Sequence, residues 1–199
     1  DPNLAYPGII SKTHTVKNLS VVGSSIQSLV DQFSLSNINA GDIVIFGLTA
    51  KARRLWRNKN GNTQEEQFIP NDDISNPYES DRICSQTCVM LYYMTINRNA
   101  TPLFHNLFDL PMLSETIWNE IPNDNWLLPP NMSLLNVLDP DWANGKAANE
   151  HLFHKWLDSG RDNVLKYIKP CEAHPNIAGH ELIANFLLEK FENDASGTV

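Results

Sequence analysis

The chain has 199 residues, 42% of them hydrophobic, and a net charge of −8 at pH 7. This length fits a single domain, residues 1–199, with a substantial core, and the composition excludes a disordered or fibrous chain. Nucleic acid is not an expected partner, because there is no basic surplus to neutralise phosphates. No apolar run approaches the roughly 18 residues of a membrane span and no signal-peptide pattern opens the chain, so we expect a cytoplasmic protein without a membrane partner.

The first part of the chain alternates apolar segments with glycine turns. The periodicity predicts, in order, a helix over residues 4–12, a strand over 16–22, a helix over 26–33 and a strand over 43–46. Glycines close both strands, at Gly23 and Gly47. The second strand is an unbroken apolar run, which is typical of a strand covered on both faces.

The second part opens with a polar excursion over residues 58–77, which we interpret as a functional surface loop or lid. Beyond it the pattern predicts a helix over 80–97, a buried strand over 101–108, a surface segment over 112–130 and helices over 149–157 and 177–192. Strands alternating with helices predict a three-layer α/β/α domain with a central parallel sheet. Sites in such folds form at the carboxyl ends of the strands.

Two of the predicted helices have a clear buried face. In the helix over 80–97 it consists of Cys84, Cys88, Leu91 and either Met94 or Thr95. In the last helix it consists of Ile177, Leu182, Ile183, Phe186, Leu187 and Phe191. The chain has 3 cysteines, which cannot all pair with one another, and we expect reduced thiols.

His174 is the strongest candidate for chemistry. It precedes Pro175 and Asn176, and Asn176 suits the N-cap of the last helix. The positive end of that helix disfavours an imidazolium, which favours a neutral base near pH 7. Such a base needs a partner that orients its second nitrogen, and Glu172 lies two residues upstream. The alternative is that His174 is an ordinary turn residue.

Three segments resemble conserved blocks of one hydrolase family. His174-Pro175-Asn176-x-x-Gly179-His180 followed by Ile183-Ala184 resembles the last block of the SGNH, or GDSL, hydrolases. Residues 18–25, NLSVVGSS, resemble the second block, and residues 42–49, DIVIFGLT, resemble the third. The phage and bacterial branches also carry a Tyr-Pro helix like Tyr6-Pro7 and an arginine where Arg53 or Arg54 stands.

The resemblance implies a flavodoxin-like sheet and a serine-type ester hydrolase. The expected reaction is O-deacetylation of a carbohydrate or hydrolysis of another small acyl ester, with no cofactor and no metal. His174 would be the general base and Glu172 its orienting carboxylate, while Gly23 and Thr49 would donate hydrogen bonds to the oxyanion. The remaining expected site residues, for substrate binding, are Arg53, Ser24 and Asn106.

The chain departs from the family pattern at its most important residue. The first block, a strand that ends in the nucleophilic serine, has no counterpart in residues 1–199, so we expect that serine to come from sequence outside them. Cys171 stands where the family has its Asp, and Thr49 where it usually has Asn. Ser24 and Ser25 follow a glycine turn but fit helix caps better than a nucleophile. The alternative function is a degenerate domain that binds a glycan or a protein.

Three further patterns suggest sites, but each has a simpler interpretation. His151 and His154 could hold a metal, although a solvated helix surface fits them better. The pair Arg53-Arg54 with Trp56 could bind an anionic or sugar substrate, or form an ordinary helix face. Tryptophans in the loop-rich part could be sugar platforms, although core packing is commoner; these are Trp118, Trp126 and Trp142.

Overall fold

A computed structural model of the chain describes residues 5–20, 26–48, 54–57, 63–66, 77–107, 120–130, 132–139, 167 and 175–196. The chain divides into two compact units, one formed by residues 1–18 with 132–199 and the other by residues 19–131. The helices are α1 (Tyr6–Ile10), α2 (Ser28–Leu35), α3 (Pro77–Ile96), α4 (Leu134–Leu138) and α5 (Ile177–Ser196). The strands are β1 (Ile43–Leu48), β2 (Arg54–Arg57), β3 (Thr63–Glu66) and β4 (Thr101–Asn106).

A parallel pair of strands organises the unit of residues 19–131. β1 and β4 run parallel, in a register that pairs Ile43 with Thr101 and Leu48 with Asn106. The connection between them contains α3, as a parallel crossover requires. The carboxyl ends of the two strands therefore lie at the same end of the sheet. A parallel strand pair with a helix in its connection confirms the α/β class. The three-layer arrangement stays a prediction.

One face of this pair carries an aromatic core. The rings of Phe46 and Phe104 stack with centroids 5.0 Å apart, and Trp126 lies 5.6 Å from Phe104. Helix α3 adds the predicted inward residues, since Cys84, Cys88, Leu91 and Thr95 are all buried. Both of these thiols are reduced, as expected. Burial, with a smaller contribution from the neighbouring Cys84, raises the pKa of Cys88, so this thiol behaves as a small hydrophobe.

The two edges of the parallel pair differ. Residues 122–130 cover the outer edge of β4, where the Leu127 amide donates to the Phe104 carbonyl at 2.9 Å and Asn125 Nδ2 donates to the Pro102 carbonyl at 2.8 Å. A natural sheet edge is normally protected in such a way. The opposite edge belongs to β1, and no strand in the described part of the chain pairs with it.

The direction of the β1 backbone groups follows from two hydrogen bonds at its ends. Thr101 N donates to Asp42 O at 2.8 Å, and Leu107 N donates to Leu48 O at 2.9 Å. Backbone groups in a parallel strand alternate between its two neighbours. The even-numbered residues therefore pair with β4, while the N–H and C=O groups of Ile43, Ile45 and Gly47 face the other side.

Helix α5 is the centre of the unit that joins residues 1–18 and 132–199. Helices α1 and α4 both pack against it, and its buried face consists of Ile183, Ala184 and Leu187. His14 meets Phe191 edge to face with ring centroids 6.3 Å apart. None of the helices in the described ranges is long and apolar enough to cross a membrane.

Several predicted elements are confirmed, with shifted ends. The first two helices are α1 and α2, the long helix is α3, and the buried strand is β4. Trp126 packs in the core, 7% exposed, and the segment over 120–130 is therefore not confined to the surface. The predicted helix over 149–157, with His151 and His154, lies outside the described residues, as do Trp118 and Trp142.

Other predictions are wrong. Residues 16–20, part of the predicted strand over 16–22, have no regular secondary structure and are mostly exposed; a short segment forms a stable strand only beside a partner. Gly47 lies inside β1 rather than closing it. Residues 54–57 and 63–66 form an antiparallel pair, not a helix face and a loop. Ile177 is 55% exposed, because it stands in the first turn of α5 ahead of the buried face.

Candidate functional site

The predicted site residues fall mostly outside the described ranges. These are Gly23, Ser24, Thr49, Arg53, Glu172 and His174. Asn106 is described, and so are the residues that follow His174 and precede Thr49 in the chain. The structure therefore describes two regions that neighbour predicted site residues in the sequence, each within its own unit: the start of α5 and the carboxyl end of the β1–β4 pair.

The start of α5 is fixed by Asn176. The Gly179 amide donates to Asn176 Oδ1 at 2.9 Å, and the His180 amide donates to the Asn176 carbonyl at 2.9 Å. The first of these bonds satisfies one of the amides that a helix N-terminus leaves without an intrahelical partner. The predicted N-cap is thus confirmed. His174 stands two residues before this cap in the sequence, ahead of a helix of 20 residues.

Gly179 is required by a close backbone approach. A Cβ atom at this position would collide with the Tyr167 carbonyl oxygen and would lie 3.1 Å from Pro175 Cβ. The same carbonyl oxygen accepts a hydrogen bond from the Asn176 amide at 2.9 Å. Tyr167 therefore holds the chain at the cap, and only glycine leaves room for its carbonyl against the first turn of α5.

His180 lies on the helix beside α1. Its ring is tilted by 31° against the ring of Tyr6, with centroids 6.2 Å apart. Burial raises the pKa of the Tyr6 hydroxyl above its ordinary value. The Tyr-Pro helix and the last block of the resemblance are thus in contact with each other. The side chain of His180 is half-buried.

Asn106 ends β4 and is 1% exposed. Its Nδ2 donates to the Pro130 carbonyl at 2.8 Å, so this side chain fastens the segment that covers the edge of β4. Its proposed contact with substrate stays a prediction. Whether or not Asn106 contacts substrate, its bond to Pro130 holds residues 122–130 against the carboxyl end of β4.

The residue before it, His105, is the most unusual group in this part of the molecule. It is 0% exposed, and burial lowers its pKa from 6.5 to about 4, so the imidazole is neutral at pH 7. Its Nδ1 lies 3.4 Å from the Asn106 carbonyl oxygen. Its Nε2 is buried without a hydrogen-bond partner in the described structure.

The ring of His105 lies over Gly47. A Cβ atom at Gly47 would be 3.2 Å from His105 Cε1 and 3.4 Å from Nε2, so a larger residue would crowd the imidazole. His105 is not among the site residues that the sequence predicts. The signal for it is a histidine directly after the apolar run Pro102-Leu103-Phe104, near the carboxyl end of a buried strand.

Within the described ranges, no cluster of His, Cys, Asp and Glu residues could hold a metal ion. Comparison of the chain with protein-family models, with curated proteins and with solved structures found no match.

Proposed function

We propose that the chain is the larger part of an SGNH-type, three-layer α/β/α serine esterase that removes an acetyl or another small acyl group, most simply from a carbohydrate. The observation that carries this proposal is the start of α5. There the Asn and Gly of the His-Pro-Asn-x-x-Gly-His block each have a defined structural task, in Asn176 and Gly179. Both residues belong to the block that begins with His174, and this agreement with the block's pattern is what supports the proposal.

The proposed chemistry is acyl transfer through a serine. The hydroxyl oxygen attacks the ester carbonyl while His174 accepts the hydroxyl proton, and Glu172 orients the imidazole. The negative charge that develops on the carbonyl oxygen is stabilised by the Gly23 amide and Thr49. His174 then returns the proton to the leaving alcohol. Water, deprotonated by the same histidine, releases the acid and regenerates the serine.

Substrate binding is proposed for a separate set of side chains. Arg53 supplies a positive charge, Ser24 a hydroxyl group and Asn106 an amide. Thr49 follows β1 directly in the sequence, and Asn106 is the last residue of β4. Because sites in parallel sheets form at the carboxyl ends of the strands, the ends of β1 and β4 support this assignment.

The serine itself is proposed to lie on a strand that pairs with β1. The backbone groups of Ile43, Ile45 and Gly47 face an edge with no paired strand in the described part of the chain. An apolar parallel strand usually has neighbours on both sides. A strand added there runs beside β1 and brings its carboxyl end next to Thr49.

The test uses the naturally produced polypeptide that contains residues 1–199. It is assayed for hydrolysis of p-nitrophenyl acetate and treated with a fluorophosphonate probe, whose labelled peptide identifies the nucleophilic serine. His174→Ala should lower kcat by about a thousandfold or more. His14→Ala is the matched control, because His14 is exposed and should leave turnover unchanged.

Two outcomes would refute the esterase. One is a folded protein without turnover and without labelling, and the other is full activity of His174→Ala. The first of these supports the alternative, a domain that binds a glycan or a protein. Labelling of Ser24 or Ser25 would keep the esterase and reject the added strand as the source of the nucleophile.

A further inference from the structure

The buried Nε2 of His105 lies close to β1, the strand next to that side of the sheet. Of the ring atoms, Cε1 and Nε2 are those that approach Gly47. They are the outer atoms of an imidazole that is attached to β4 and extends over β1. β1 lies between β4 and the side on which no strand is paired in the described ranges, so the outer ring atoms of His105 lie against the strand next to that side.

Whether Nε2 is a hydrogen-bond donor or acceptor follows from the contact that Nδ1 makes. A neutral imidazole has one N–H donor and one acceptor nitrogen. The contact of Nδ1 with the Asn106 carbonyl oxygen, at 3.4 Å, is favourable only when Nδ1 carries the hydrogen. Nε2 is then an acceptor, buried and without a partner in the described structure. Such a group is costly unless a donor reaches it.

We infer that His105 is a positioning residue, whose Nε2 accepts a hydrogen bond from an N–H or O–H group of the strand that pairs with β1. The inference rests on the proposed function for the identity of that strand. The two groups of observations are independent, since one concerns backbone groups of β1 and the other a side chain of β4. This hydrogen bond fixes the register of the added strand relative to β1. The register in turn fixes the position of the nucleophile.

Gly47 has a defined part in this arrangement. Its lack of a side chain lets the outer imidazole atoms of His105, together with Leu107 Cδ2, lie close to the backbone of β1. A side chain at this position would lift the ring away from the sheet and would also occupy the face over which the donor must approach. The pairing of Gly47 with His105 in the β1–β4 register keeps the two residues opposite each other.

The test measures the hydrogen bond directly in the naturally produced polypeptide. Nitrogen-15 NMR of the His105 ring reports the tautomer and whether Nε2 accepts a bond. Amide hydrogen exchange at Ile45 and Gly47 reports whether a strand pairs with β1. We expect the Nδ1–H tautomer with a hydrogen-bonded Nε2, together with slow exchange at both amides.

Two variants separate positioning from packing. His105→Leu removes the acceptor and should lower kcat for p-nitrophenyl acetate about tenfold with little change in KM. His105→Gln keeps an acceptor of similar reach and should recover most of that loss. A packing role alone would give the two variants equal kcat values whenever both are folded.

The failures of the two proposals can be told apart. Absence of turnover in the wild-type protein would refute the esterase proposal. A hydrogen-bonded Nε2 in that same protein would still support a strand paired with β1 and the positioning role of His105. Slow exchange at Ile45 and Gly47 with an Nε2 that accepts no bond overturns the inference and leaves the esterase in place. Fast exchange at both amides overturns it as well, because no strand is then paired with β1.

Discussion

Acidification should destabilise the protein through His105. Its pKa is about 4 in the folded protein and 6.5 in an unfolded chain, because burial disfavours the imidazolium. The neutral form is therefore the one that the fold prefers. The stability that this preference provides is complete above pH 6.5 and is lost as the pH falls from 6.5 towards 4.

The size of the effect follows from the two pKa values. They differ by about 2.5, and each pKa unit corresponds to about 1.36 kcal/mol, so the full loss is about 3 kcal/mol. Between about pH 7 and about pH 4.5, most of this loss, about 2 kcal/mol, should already be visible. Such a change is a large fraction of the stability of a typical domain.

The assay is urea unfolding at these two pH values, followed by tryptophan fluorescence. Other groups also titrate in this range, so wild type is compared with His105→Leu, which should lose about 2 kcal/mol less than wild type on acidification. Leu103→Ala is the matched control, because Leu103 is buried on the same face of β4 and carries no titratable group. Equal losses for wild type and His105→Leu, within about 0.5 kcal/mol, would refute a buried neutral imidazole at this position.

Three other replacements test the packing described above, each by urea unfolding. Gly179→Ala should cost about 1–3 kcal/mol, although alanine normally favours helices, and a stabilised variant would contradict the close approach of the Tyr167 carbonyl. Asn176→Ala should cost about 1 kcal/mol through the lost cap and Asn176→Ser much less; equal losses would exclude the capping bond. Leu91→Ala should cost about 2–5 kcal/mol, whereas Met90→Ala, at a position 43% exposed, should cost far less.

The part of the fold that the sequence predicts is the part governed by local periodicity. The buried face of α3 repeats at helical spacing through Cys84, Cys88 and Leu91, and all three are buried. The Asn176 cap follows from side-chain chemistry that acts within one helical turn. The strand β4 lies within the predicted buried strand over 101–108, and all of its residues after Thr101 are buried. In each case the residues that decide the structure lie within a few positions of one another.

The part that the sequence does not predict depends on distant partners. Residues 16–20 belong to a predicted strand but have no regular secondary structure. Gly47 was expected to end β1, yet it continues the strand because the pairing with β4 reaches Leu48. A glycine is favoured at position 47 because the ring of His105, a residue 58 positions later in the chain, lies over it. No periodicity in a single sequence reveals that contact.

Gly47 and the His105 ring both lie next to the side of the sheet where β1 has no paired strand in the described ranges. Three features are each unfavourable alone: an apolar strand with no strand paired to one side in the described ranges, a glycine within that strand, and a buried imidazole nitrogen, Nε2, without a partner. They become mutually consistent once a strand lies beside β1, since it pairs the backbone groups of Ile45 and Gly47 and supplies a donor to His105 Nε2. The carboxyl end of that strand then adjoins the residue that follows Leu48. In the proposed esterase, the nucleophile at this end is placed by the same interactions that complete the sheet, so loss of the proposed His105 bond should affect kcat before it affects folding.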